Sequence, residues 1–385
     1  MTRCPNCFHA LTPNAFAWRC VSGQCPASPD PVASAFHGGA VAGTPIRRVE
    51  RPPGAPRSWS PGHDTSCPRC RGESREICPT CHYELPAGWR EGETICLAMA
   101  GARATGKSVY VGVLVKQLQQ LAEHLRTTFM PVTELTQYVY GTVYERALFE
   151  QRGIMPPTPS ARTQSSYQRE PLVFSLGMVR GRRLYLVLRD VAGEDLETAT
   201  GDLTHLRFFA HADGVIFMFD PLRVPEVRDQ LHDLVPHQLH QGGDPQRVLA
   251  NLLRIIGTSA PRVAVVLSKF DAMQALRAVS GTAWNRVMSN PGAAFMRDPA
   301  LGAGYDEDDG ELLHHEVRSL LQRLGAGPLV TALERPNAGY PLNHRFFAVS
   351  ALGESPNGEA LHLRGISSFR CLDPVRWVLA DAGAL

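Results

Sequence analysis

The chain has 385 residues, 44% of them hydrophobic, and a formal net charge of +2, so it can bury a sizeable core and is too evenly charged for a bulk nucleic-acid binder. No apolar stretch is long enough to span a bilayer and no secretory signal opens the sequence, which argues against a membrane protein and sets the expectation of a cytoplasmic one. Arginine supplies almost all the positive charge, since the only lysines are Lys107, Lys116 and Lys269.

Eight of the ten cysteines fall before Gly88, as Cys4-x2-Cys7, Cys20-x4-Cys25, Cys67-x2-Cys70 and Cys78-x2-Cys81. Closely spaced thiolates form a knuckle that fits a tetrahedral zinc, and two knuckles close a Cys4 site, so two structural zincs are expected. Pairing neighbours in sequence puts Cys4, Cys7, Cys20 and Cys25 on one zinc and Cys67, Cys70, Cys78 and Cys81 on the other. Closure of Cys4 and Cys7 on Cys67 and Cys70 is the alternative. Disulfides and an iron–sulfur centre are the competing chemistries, the first disfavoured because no secretory signal precedes the cysteines. Residues 1–30 read as a zinc-knuckle module, 31–62 as a linker dense in Pro, Gly, Ala and Ser, and 63–90 as a second zinc ribbon. Residues 1–90 hold ten arginines against six acids, a modest excess without interleaved aromatics, so nucleic acid is not the expected partner. The zincs are expected to be uncoupled from the chemistry of residues 91–385, and Cys96 and Cys371 to be small buried hydrophobes.

From Thr94 to Ala100 the chain reads as a buried strand, and from Val109 to Leu125 as a helix with apolar Val113, Leu114, Leu118, Leu121 and Leu125. Between them stands Gly101-Ala102-Arg103-Ala104-Thr105-Gly106-Lys107-Ser108, a full G-x-x-x-x-G-K-S. Glycines let such a backbone curl so that its N–H groups face phosphate oxygens, the helix adds its positive end, the Lys reaches the terminal phosphates and the Ser holds Mg2+. The span from Thr127 to Arg169, with a helix expected over Thr133 to Phe149, reads as a lid, a partner surface or a packing insertion. Leu172 to Val179 and Leu184 to Leu188 then flank Arg180-Gly181-Arg182-Arg183, the pattern of a hairpin. The second of these strands runs into Asp190-Val191-Ala192-Gly193, a D-x-x-G whose Asp would stand behind Mg2+ and whose Gly N–H would meet a γ-phosphate.

Three more strands are expected: Gly214 to Phe219, Arg262 to Leu267 and Arg345 to Val349. The middle one ends in Ser268-Lys269-Phe270-Asp271, where a guanine-reading [NT]-K-x-D would lie, and the last in Val349-Ser350-Ala351. Asp271 would accept from guanine N1 and N2, Lys269 would lay its stem on the ring and the Ala351 N–H would meet O6, whereas adenine would leave the carboxylate unpaired. With three lysines in the chain, finding two of them at these positions makes each motif support the other. The run Asp306-Glu307-Asp308-Asp309 reads as an exposed helix start, with an amphipathic helix over Leu312 to Leu324. His232, His237, His240, His314 and His315 read as solvated surface.

On these motifs and their order, residues from about Glu93 onward resemble the TRAFAC class of phosphate-loop GTPases. The cysteine pairs ahead of the loop and the closing Leu372-Asp373-Pro374-Val375-Arg376-Trp377 resemble the double-GTPase (type 2) domains of predicted bacterial conflict systems. The resemblance implies an α/β G domain over 91–385, a mostly parallel sheet with one antiparallel strand and helices on both faces, preceded by Cys4 zinc modules. It implies Mg2+ held by Ser108, Asp190 and a Thr just before the hairpin, for which Thr158 is preferred over Thr163. Glu194, after the D-x-x-G, stands where relatives of the class place a water-orienting Gln, and Arg103 is near enough to supply charge in cis. Ser268 departs from the usual Asn or Thr. The expectation is a slow GTPase switch, binding GTP and GDP, with a protein partner docked by the zinc modules or the switch region in a conflict or defence system; the alternative is a zinc-ribbon adaptor that binds nucleotide without turnover.

Overall fold

In the computed structural model, residues 1–56, 59–62, 65–160, 170–231, 243–302, 304–336, 342–356, 360–362 and 364–383 are described. Thr163, His232, His237 and His240 lie outside them.

The N-terminal part is built on β1 (Ala15–Cys20), which lies between β4 (Ile46–Glu50) and β5 (Ser74–Ile77) in a three-stranded antiparallel sheet. A two-residue pair, β2 (Ser28–Pro29) with β3 (Ala42–Gly43), and helix α1 (Pro31–His37) fill the interval. Asp30 caps α1 by accepting from the Ala33 N–H at 3.0 Å, with Pro31 in the first turn where no amide is needed. Residues 31–62, expected to be a linker, therefore carry α1, β3 and β4. Their Pro and Gly content hid a short capped helix and an edge strand.

The cysteine pairing also differs from the sequential one. Cys4, Cys7, Cys78 and Cys81 form one quartet, and Cys20, Cys25, Cys67 and Cys70 the other. The cause is register: β1 and β5 are antiparallel, with Ala17 opposite Ile77 and Cys20 opposite Ser74. The residues before β1 therefore meet those after β5, and those after β1 meet those before β5. The two knuckle pairs nearest in sequence cannot close on each other while this sheet is formed.

The larger part is a seven-stranded sheet in the order β12-β11-β10-β6-β9-β8-β7. Its strands are β6 (Glu93–Gly101), β7 (Met130–Pro131), β8 (Leu172–Val179), β9 (Arg182–Arg189), β10 (Gly214–Phe219), β11 (Arg262–Leu267) and β12 (His344–Ala348). β6, β9, β10, β11 and β12 are mutually parallel. Among the described residues β8 alone runs against them, in the expected hairpin, with Arg180 and Gly181 both left-handed (φ 51° and 77°) at its turn. Every residue of β10 is buried, so the sheet is covered on both faces at this central strand.

The helices are α2 (Lys107–His124), α3 (Glu134–Val139), α4 (Gly193–Glu197), α5 (Pro225–Leu231), α6 (Pro245–Ile256), α7 (Phe270–Ala275), α8 (Ala283–Met288), α9 (Glu307–Arg323), α10 (Gly327–Glu334) and α11 (Asp373–Asp381). α3 continues through wider π-helical turns to Glu150 and buries Tyr140, Tyr144 and Leu148. Cys96 and Cys371 are buried, as expected. The two parts are joined closely: Trp89 stacks on Tyr185 with ring centroids 4.4 Å apart, and its indole N–H donates to the Arg3 carbonyl at 2.8 Å.

Candidate functional site

Because β6, β9, β10, β11 and β12 are parallel, their carboxyl ends share one edge, where open α/β sheets bind ligands. At the end of β6 the chain turns through Gly101, whose φ of 141° and approach to the Met218 carbonyl, 2.7 Å from where a Cβ would stand, both exclude a side chain. Ala104 and Gly106 are left-handed (φ 62° and 89°), and α2 begins at Lys107. The Thr105 hydroxyl donates to the Ala102 carbonyl at 3.0 Å. Lys107 is buried and folds back on the loop, donating to the Gly101 and Ala102 carbonyls at 2.9 Å each. Burial lowers its pKa to about 8, against the pull of Asp190 and Glu197.

Three oxygen side chains converge beside this loop. The Ser108 hydroxyl donates to Asp190 Oδ2 at 2.5 Å and lies 2.5 Å from the Thr158 hydroxyl, which is left to donate to it. Asp190 Oδ1 is buried with no hydrogen-bond partner among the described residues, and burial holds the Asp190 carboxyl above its ordinary pKa. Gly193 presses on the loop so closely that a Cβ would stand 2.3 Å from the Arg103 nitrogen. The Arg103 guanidinium pairs with Glu194 at 2.9 Å.

A second cluster lies across β10, β11 and β12. Lys269, left-handed at φ 50°, pairs with buried Asp220 at 2.7 Å. Both carboxylate oxygens of Asp271 accept from serines, Ser350 at 2.6 Å and Ser355 at 2.8 Å. Half-buried Ala351 follows Ser350. The Ser268 hydroxyl donates to the Phe219 carbonyl on β10.

Four residues here had been given no contact to make by the sequence reading, although Asp220 stood in it at the end of a strand. Glu197 Oε1 accepts from the Arg103 N–H at 2.9 Å, and Arg223 donates to the Arg103 carbonyl at 3.0 Å, so both touch the loop. Asp220 and Ser355 engage Lys269 and Asp271. Only Asp220, at a strand's carboxyl end before a proline, carried a signal; the others belong to no motif. Elsewhere, a cavity of about 280 Å3 lined by Arg297, Asp298, Tyr305, Asp309, Arg370 and Asp373 shares no residue with either cluster.

In the cysteine quartets the paired sulfurs stand 3.6 Å (Cys4–Cys81), 3.7 Å (Cys7–Cys78), 3.7 Å (Cys20–Cys70) and 3.8 Å (Cys25–Cys67) apart. Those distances are far beyond the roughly 2.05 Å of a disulfide. The Ser22 hydroxyl and the Gly72 N–H lower the Cys70 pKa to about 6. Each quartet could hold a metal ion.

No known protein-family model matches the chain. Among solved structures it is similar to the bacterial selenocysteine-specific elongation factor EF-Sec (13% identity, 68% of this chain and 26% of that one, TM-score 0.26). It is also similar to the GTPase-like domain of S. cerevisiae Ski7 bound to GTP (12% identity, 68% and 44%, TM-score 0.33). The chain thus spans less than half the length of either structure. Among curated proteins it is 51% identical, over 387 residues and 100% of both chains, to the "Putative ESX-1 scaffolding and assembly protein SaeC" of Mycolicibacterium smegmatis. The chain belongs to the SaeC family.

Proposed function

We propose that the chain is a magnesium-dependent GTP-binding switch protein with slow hydrolysis, which engages a protein partner through its cysteine-rich N-terminal body or the 127–169 region. The observation that carries this reading is the convergence of the Lys107 loop, Ser108, Thr158, Asp190 and Gly193 with the Lys269 and Asp271 cluster along one sheet edge. On this reading the loop N–H groups from Gly101 to Ser108 and the positive end of α2 take the phosphates, while Lys107 exchanges its two carbonyls for phosphate oxygens. Asp271 exchanges its two serine hydroxyls for the guanine N1 and N2 donors. An all-oxygen set of Ser108, Thr158 and Asp190, with one carboxylate oxygen unpartnered, suits Mg2+, which would supply charge stabilisation between the phosphates.

The sulfur spacings suit zinc, because the edge of a tetrahedron with Zn–S bonds of about 2.3 Å is about 3.8 Å. We take residues 91–385 as the nucleotide domain and 1–90 as one interleaved docking body carrying two structural zincs. A GTP ligand and thiolate-held zinc would suit a cytoplasmic protein, and no described helix is long and apolar enough to cross a membrane. The name of the SaeC relative speaks of scaffolding and assembly at ESX-1, a task that suits a nucleotide-controlled docking protein. In this reading assembly, the word in the relative's name, takes the place of defence.

The second reading, an adaptor without useful turnover, is favoured by one observation: Arg103 and Glu194, the two candidate catalytic groups, neutralise each other. Binding and single-turnover hydrolysis on the purified chain separate the readings. We expect Mg·GTP to bind at least tenfold more tightly than Mg·ATP, Lys107→Ala to lose binding and Asp271→Asn to relax the base preference. Equal affinity for the two nucleotides overturns the guanine reading. Unchanged rates with unchanged affinity in both Arg103→Ala and Glu194→Ala sink the catalytic assignment of these two groups and favour the adaptor, or a catalytic group supplied by a partner.

A further inference from the structure

The residue immediately before Asp190 points at a link between the first cysteine quartet and the nucleotide site. Arg189 ends β9 and is buried at 5% exposure. Its Nη1 donates to the Asn6 carbonyl, inside the Cys4–Cys7 knuckle, and its guanidinium carbon lies 4.0 Å over the Phe208 ring. Phe208 in turn meets Phe8, the residue after that knuckle, edge to face at 5.4 Å. The Asn6 amide donates to Cys81 Sγ at 3.6 Å. Arg189 Nε is buried without a hydrogen-bond partner among the described residues.

Cys81, Cys7 and Cys4 are the sulfurs whose charge bears on Arg189, together with Glu170. Four thiolates around a divalent ion leave a net charge of about −2. A buried guanidinium needs such a counter-charge, and truncating one partner of a buried pair is strongly destabilising. The charge on the quartet is therefore placed to hold the very residue whose neighbour aims at Ser108. Among the described residues the second quartet has no such path: its sulfurs' hydrogen bonds there run to Ser22, Arg69 and Gly72, all within the N-terminal body.

We infer that the metal at Cys4, Cys7, Cys78 and Cys81, and not the metal at Cys20, Cys25, Cys67 and Cys70, sets the position of Asp190 through Arg189, so that loading of the first site and Mg·nucleotide binding favour one another. Arg189 is a positioning residue, acting on the site through its neighbour. The coupling to nucleotide rests on the proposed function; the ordering of the β9 end by metal does not. It departs from the expectation that the zincs stand apart from the chemistry.

The test compares Cys78→Ser, Cys70→Ser, Arg189→Gln and Arg189→Lys in the full chain, with metal content by elemental analysis, amide hydrogen exchange over residues 186–197, and nucleotide affinity with and without Mg2+. Each cysteine variant should lose one metal. Cys78→Ser should speed exchange over 186–197 at least tenfold more than Cys70→Ser and weaken Mg·GTP binding at least tenfold more. Arg189→Gln, keeping both metals, should speed the same exchange and weaken GTP binding about tenfold with Mg2+ but less than threefold without it. Arg189→Lys should recover part of both effects. If Cys78→Ser does not fold, the two Arg189 variants decide the matter. Equal exchange in the two cysteine variants, or wild-type exchange in Arg189→Gln with both metals bound, overturns the inference. A wild-type chain that binds no guanine nucleotide sinks the proposed function instead, and the exchange measurements still decide the coupling.

Discussion

Lys107 shows how a single group in the loop is poised. It is buried, bonded to two loop carbonyls and titrates near pH 8, because burial disfavours its charge. A phosphate partner favours the charged form, so the pKa in a complex lies above that of the free protein. Affinity should therefore be flat below about pH 8 and fall by up to about tenfold per pH unit above it, with proton uptake on binding in that window. Calorimetry in two buffers of different ionisation enthalpy measures the uptake; none at pH 8.5 would mean that Lys107 does not meet the ligand. Glu197 makes the opposite contribution. Its carboxylate occupies the Arg103 N–H and adds negative charge beside Lys107. Glu197→Gln should tighten nucleotide binding about three- to tenfold, read by fluorescence titration, and weaker binding would show that the contact supports the loop. Lys107, Ser108, Asp190 and Asp271 were legible because spacing fixes them relative to strand ends. Glu197, Arg223 and Ser355 were not, because chain folding alone brings them to the site and no local pattern requires them there.

Among the elements, strands β10 and β11 match their expected bounds residue for residue, as continuous apolar runs bounded by turns do. The hairpin was legible from Gly181, and α9 from its acidic start. Asp306 caps α9 by accepting from the Asp308 and Asp309 amides at 3.0 and 3.1 Å. Asp306→Ala should cost about 1 kcal/mol of stability by denaturant titration. A loss below about 0.3 kcal/mol would mean that packing of the buried face holds the helix end unaided. Sequence reading failed in residues 31–62, where turn-rich composition outweighed a capped seven-residue helix and a five-residue edge strand. It also took knuckles to pair with their nearest neighbours, whereas antiparallel register pairs the outer two and the inner two.

For the molecule as a whole, the interleaved quartets make the N-terminal body topologically redundant. Both clasps hold opposite ends of the same pair of strands, and both bridge across the interval between Cys25 and Cys67. Covalent continuity through that interval is therefore dispensable once metal is bound. Gly54 is exposed, with open space around it. A protease site inserted there should yield a nicked protein that migrates as one species on a sizing column and separates into two fragments on chelation. Separation without a chelator would show that the clasps do not carry the load. The same arrangement should let the first 54 residues, supplied as a separate peptide with zinc, rejoin a chain that starts after the cut.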